Sequence, residues 1–180
     1  MPPMHSEHGI RSIDIHAHLT PQCFWQATTD GGDWHTLRRE QDGRGREYAI
    51  VGQARQPLPP RARWTPEARL ADMDSLGVDV HVLSPYSGFY NYHLDAAVAI
   101  ATSQDANNEI HSMVTQWPER FAGLGTLPMQ DVKAAIAELE RVLGSRVRIV
   151  HRGSKGGKIE IDYWSAEDLD RIYEMIVGKN

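Results

Sequence analysis

Ile13-Asp14-Ile15-His16-Ala17-His18 places two imidazoles two residues apart in a run whose β-branched start reads as a strand, closed by Leu19-Thr20-Pro21. Side chains alternate between the two faces of a strand, so Asp14, His16 and His18 share one face while Ile13, Ile15 and Ala17 share the other. Neutral imidazole nitrogens suit Zn²⁺ and related divalent ions, and a pair fixed on a strand needs little ordering before it binds. The spacing alone leaves two readings open: half of a metal site, or two strand histidines with no ligand.

Composition narrows the class. The chain has 180 residues, 41% of them hydrophobic and 24% charged, with a formal net charge of −5 and a pI near 6.0, which describes a globular protein. A mildly acidic balance argues against nucleic acid or membrane as the partner of the whole protein, although a local basic patch stays open. Cys23 is alone, so no intrachain disulfide can form and a reducing compartment is the default. No apolar run reaches membrane-spanning length. Residues 1–9 lack an apolar core segment and are expected to be a disordered leader and not a signal peptide, which places the protein in the cytoplasm.

Further along, strand and helix patterns alternate as a βα-repeat requires. Phe24 to Arg63 is a long stretch rich in Gly, Arg, Gln and Pro, holding Trp25, Trp34 and His35. Long segments in compact domains are commonly functional, so it reads as a substrate lid with a small hairpin around Tyr48-Ala49-Ile50-Val51, or as a floppy surface insertion. Thr65-Pro66-Glu67 opens a helix that Gly77 ends. Val78, Val80 and Val82 alternate as a strand, and Ser84 and Tyr86 follow it as turn residues or as substrate contacts. Asp95 to Gln116 reads as a long amphipathic helix carrying Asn107, Asn108, Glu109 and His111, with His111 solvated or packed and not a ligand. Trp117-Pro118 stops it. Phe121 to Leu127 is expected as a third strand. Asp131 to Leu143 is expected as a third helix with Val132, Ala135, Ile136 and Leu139 on its apolar face, stopped by Gly144.

Four segments taken together carry a family resemblance: the His16/His18 strand, Arg69-Leu70-Ala71-Asp72-Met73-Asp74-Ser75-Leu76-Gly77-Val78-Asp79, Val82-Leu83-Ser84-Pro85, and Trp117-Pro118-Glu119-Arg120-Phe121-Ala122-Gly123-Leu124-Gly125-Thr126-Leu127-Pro128. From about Ile10 to Arg141 the chain resembles the amidohydrolase superfamily, in the branch of metal-dependent enzymes similar to aminocarboxymuconate-semialdehyde decarboxylase. The resemblance implies a (β/α)₈ barrel and a divalent metal, zinc first, held by His16 and His18. It implies two further ligands, a histidine from mid-barrel and an aspartate from the last strand. Such barrels typically need about 250 residues. The expectation is therefore an incomplete N-terminal part of the barrel over 10–143, truncated or chimeric and of low activity: His81, within a strand, and His93, in a loop, are weak substitute ligands, and His151, the best-placed late histidine, lies in the tail that follows a second pattern.

After Gly144 the amidohydrolase pattern is read as failing. Arg146-Val147-Arg148-Ile149-Val150-His151 and Lys158-Ile159-Glu160-Ile161-Asp162-Tyr163 alternate as two strands joined by a glycine-rich turn, and a helix follows with Ser165 and Asp168 as a capping pair, closed by Gly178. This tail resembles the C-terminal dimerisation domain of ParB-type partition proteins, a ββα module over 144–180. The resemblance implies a homodimer, with Ile159, Ile161, Tyr163, Leu169, Ile172 and Ile176 as the interface. It also implies weak nonspecific DNA contact through Arg146, Arg148, Lys155 and Lys158, although those charges read equally as a solvated hairpin edge. Two functions thus compete: a metal-dependent decarboxylase or hydrolase of a small carboxylated substrate, and a non-catalytic, DNA-contacting homodimer.

Overall fold

The computed structural model describes residues 11–63, 65–152 and 156–177. The leader expected over 1–9, Lys155 and Gly178 lie outside them. The chain divides into two compact units, one up to Thr126 and one from Leu127 onward. Helix 132–143 therefore groups with the tail that follows it.

In the first unit, β1 (Ile13–Leu19) leads into a short helix α1 (Gln22–Ala27), three strands β2 (Arg38–Gln41), β3 (Glu47–Val51) and β4 (Ala54–Leu58), and helix α2 (Pro66–Leu76). Strand β5 (Val80–Pro85), helix α3 (Ala96–Gln116) and strand β6 (Phe121–Gly123) complete it. β1, β5 and β6 form a parallel sheet in that order, with α2 and α3 in the crossovers, which makes this a mixed α/β fold. Parallel register sets Asp14 opposite His81 and His18 opposite Ser84, with a shift between Asp14 and Ala17. The sheet packs Ala17, Leu19, Leu83 and Phe121 against Met73 of α2 and Ile110 and Met113 of α3.

Helix boundaries follow their chemistry. The Thr65 side chain accepts from the Ala68 N–H, Pro66 occupies the first turn, and Gly77 ends α2 at φ 70°. Asp95 caps α3 by accepting from the Ala97 N–H. The strand expected over 121–127 is only three residues long. The Leu124 N–H still donates to the Leu83 carbonyl at 2.8 Å, and beyond it the Asn107 side chain takes both the N–H and the carbonyl of Thr126, at 2.8 and 2.9 Å, in place of a neighbouring strand. Glycine is required there: a Cβ at Gly123 would lie 2.4 Å from the Ile110 side chain. On β1, Ile13 and Ile15 are exposed rather than packed, at 56% and 78%.

The 24–63 segment is not a floppy insertion. β2, β3 and β4 form an antiparallel sheet, larger than the single hairpin expected from sequence, and Pro57 is tolerated because β4 is an edge strand. It has a core of its own, with Phe24, Trp34, Leu37, Ala49 and Val51 buried alongside Phe89. Phe24 sits 5.0 to 5.8 Å, ring to ring, from Trp25, Trp34 and Phe89.

In the second unit, α4 (Val132–Leu143) is capped by Asp131 and stopped by Gly144 at φ 63°. Ala135 is buried, but Val132, read as core, is 54% exposed at the helix start. Glu138 is buried instead, held by two bonds from Arg141 at 2.7 and 2.9 Å. Strands β7 (Val147–His151) and β8 (Gly157–Ile161) pair antiparallel, and α5 (Ala166–Val177) follows. Ser165 accepts from the Asp168 N–H, and Asp168 accepts from that of Trp164.

Candidate metal centre

His16 and His18 meet on one face of β1, their rings edge to face with centroids 4.8 Å apart. Two rings at that distance can share one ion with metal–nitrogen bonds of ~2.0–2.1 Å. His18 is the better fixed: its Nδ1 lies 3.2 Å from the Pro85 carbonyl and 3.1 Å from Ser84 Oγ. A carbonyl only accepts, so Nδ1 carries the proton and Nε2 keeps its lone pair. That is the arrangement a metal-binding histidine needs. The donor set present therefore fits a divalent ion, with Nε2 of His18 and the His16 ring as ligands. Among the described residues no group of three or more His, Cys, Asp or Glu converges as a metal site.

The pair lines a cleft of ≈ 330 Å³ together with Asp14, Arg61, Arg69 and Tyr86. Tyr86 is a structural tie as well as a lining residue, since its hydroxyl donates to the Pro57 carbonyl at 2.8 Å and its ring stands edge-on to His18. Asp14 accepts from the His16 N–H at 2.8 Å, and its second oxygen lies 3.6 Å from His81 Nε2. Burial, aided by the nearby Arg69 charge, holds His81 below the ordinary imidazole range. His111, read as solvated or packed, is exposed.

The sequence reading names Glu109 on α3 without a role for it and passes over Asp105. Asp105 accepts from Trp34 Nε1 at 2.8 Å and lies 2.9 Å from His35 Nε2. Glu109, one turn on, accepts from the Gln22 N–H at 2.6 Å. Two carboxylates four residues apart repel unless each has partners, and that spacing was the available signal. Cys23, near both, is pushed up to about 12 by burial and by those carboxylates, so it stays a thiol near neutral pH.

Burial lifts the Glu109 carboxyl to about 6, against the pull of the Gln22 and Cys23 N–H groups and the Arg69 charge. The folded chain therefore holds this proton more tightly than the unfolded chain, whose carboxyl titrates near 4.5. Stability contributed by the protonated form is lost as pH rises through that window, by about 2 kcal/mol at its upper end. Urea unfolding from about pH 4.5 to 7 checks this. Glu109→Gln should gain on the unmutated chain as pH rises, while a difference flat with pH would contradict the assignment.

The chain belongs to the amidohydrolase family, whose model matches residues 13–179. That match runs through the tail, where the sequence reading had the family pattern failing. A strand followed by a capped helix looks alike in both settings. The chain is 29% identical over 134 residues to a 2-amino-3-carboxymuconate-6-semialdehyde decarboxylase of Dictyostelium discoideum, covering 73% of this chain and 36% of that protein. It is 44% identical over 45 residues to the chromosome-partitioning protein ParB of Myxococcus xanthus, covering 25% and 15%. A solved 5-carboxyvanillate decarboxylase from Sphingomonas paucimobilis superposes with a TM-score of 0.50 at 25% identity, covering 92% of this chain and 48% of that one. The chain spans between a third and two fifths of the length of the decarboxylase relatives it matches, at 36% and 39%.

The tail residues separate under the structure. Ile159, Tyr163, Leu169 and Ile176 are exposed and Ile161 is half-buried, whereas Ile172 is 3% exposed and so is a core residue and not a surface contact. Arg148 pairs with Glu160 and Asp162, at 3.5 and 3.1 Å, and Lys158 pairs with Glu160. Those pairings neutralise two of the four cations read as a DNA edge. Arg146 is exposed. No helix among the described residues is long and apolar enough to cross a membrane.

Proposed function

We propose that His16 and His18 are ligands of a divalent metal, zinc first, in a protein that decarboxylates or hydrolyses a small carboxylated compound. The observation that carries this is the Nδ1 of His18 held on the Pro85 carbonyl, which leaves the Nε2 lone pair available for an ion. The reaction class rests on the family and on decarboxylase relatives that include the Dictyostelium protein. A bound ion would act as a Lewis acid toward the substrate or toward water. Arg61 and Arg69 line the same cleft together with Asp14 and Asp72, and Arg61 pairs with Asp72 at 3.6 Å, so the lining is mixed in charge and the carboxylated substrate rests on the relatives.

Two imidazoles leave coordination positions to water, so binding should be weak for a zinc site, with a dissociation constant above about 1 μM, or less than about 8 kcal/mol. Isothermal titration of Zn²⁺ into the full chain tests it. The His16→Ala/His18→Ala variant should lose the site at unchanged folding; equal binding by both proteins would refute the ligand assignment.

A homodimer through the tail is a second, compatible reading, favoured by the exposed Ile159, Tyr163 and Ile176 and by the short ParB match. Because Ile172 is buried, the informative substitution is Ile176→Glu. Sedimentation equilibrium should show a dimer for the unmutated chain and a monomer for the variant. A monomeric unmutated chain at tens of micromolar, on the order of 6 to 7 kcal/mol of association, would remove the dimer.

A further inference from the structure

The backbone just after His18 is held from three sides. Arg69 of α2, 5% exposed, donates from Nη2 to the His18 carbonyl at 2.9 Å. The Leu19 carbonyl accepts from the Tyr86 N–H at 2.8 Å. Glu109 of α3 then takes the Gln22 N–H at 2.6 Å and also bonds the Cys23 N–H. A buried guanidinium and a buried carboxyl are expensive unless every polar atom is satisfied. Here they are not: Arg69 Nε, Glu109 Oε1 and Thr20 Oγ1 are buried without a hydrogen-bond partner. Well-packed apolar residues often equal or exceed the stability of such buried charged groups. Costly groups at the end of the strand that bears the histidine pair point to a role in the site.

We propose that Arg69 and Glu109 are positioning residues that clamp the main chain after His18, so that its ring keeps Nδ1 on the Pro85 carbonyl and Nε2 toward the cleft. With Arg69 removed, the His18 carbonyl is free to rotate and the ring loses its fixed bond. The ion then has to order its own ligand. Loss of such outer-shell support typically costs 10–100-fold in metal affinity. The affinity part of this inference rests on the metal-ligand reading above; the ring orientation does not.

The full chain with Zn²⁺ alone, and the metal-free chain labelled with ¹⁵N-histidine, test it. Arg69→Met is expected to bind Zn²⁺ about 10–100-fold more weakly at an unchanged folded fraction by circular dichroism, and Arg69→Lys to recover most of that loss. Without metal, the imidazole nitrogen signals of His18 should pass from a single Nδ1–H tautomer to a mixture in Arg69→Met. An unaltered His18 tautomer in that variant overturns the proposal. If the unmutated chain binds no Zn²⁺ yet Arg69→Met still disturbs the tautomer, the metal reading fails and the positioning role stands. Should Arg69→Met not fold, Glu109→Met, which removes the acceptor for the Gln22 N–H, carries the same two readouts, and an unaltered His18 signal there overturns it equally.

Discussion

Phe24→Ala is expected to destabilise the protein by about 3–5 kcal/mol, the range for deleting a fully buried phenylalanine ring. Phe24 has no exposed surface and touches three aromatic rings, so nothing near it can collapse to fill the space without moving Trp25 or Trp34. Guanidinium unfolding followed by tryptophan fluorescence reads the change directly, because both indoles belong to the same cluster. The size of the effect separates two views of the segment between β1 and α2. A loosely attached insertion would lose less than about 1 kcal/mol, as surface substitutions usually do.

Phe121→Ala should cost a similar amount, about 3–5 kcal/mol, through the other cluster. Phe121 is 2% exposed on β6, opposite His81 in the ladder and packed with Leu83 and Met113. Because β5 carries both Ser84 and Pro85, which hold the His18 ring, loosening this sheet should also weaken Zn²⁺ binding. The same titration that follows the histidine variants checks that coupling. A Phe121→Ala protein with full stability would mean that the sheet does not depend on this ring.

How far the chain could be read from its sequence depended on whether a signal was local. Caps and stops are local chemistry, and Thr65, Asp95, Gly77 and Gly144 act where the sequence places them. The His16/His18 face follows from strand alternation. What alternation could not supply was the fate of the opposite face, since Ile13 and Ile15 look like core yet are exposed. Val132 misled in the same way, because helical spacing names a face and does not say what covers it. Non-local pairings were invisible. Asn107 bonding Thr126 nineteen residues away, Glu109 holding the turn after β1, and Arg69 on the His18 carbonyl all depend on how α2 and α3 pack. In the tail, acidic partners two to fourteen residues away hold Arg148 and Lys158, so a count of cations overstated the free positive charge.

The central claim is the ion between His16 and His18, and the most direct measurement is a crystal structure of the chain soaked in Zn²⁺, with anomalous data at the zinc edge. The expected peak lies ~2.0–2.1 Å from Nε2 of His18 and from a ring nitrogen of His16, with waters in the remaining positions. A zinc peak bound elsewhere, with His18 Nε2 turned away from the cleft and its Nδ1 off the Pro85 carbonyl, would contradict it.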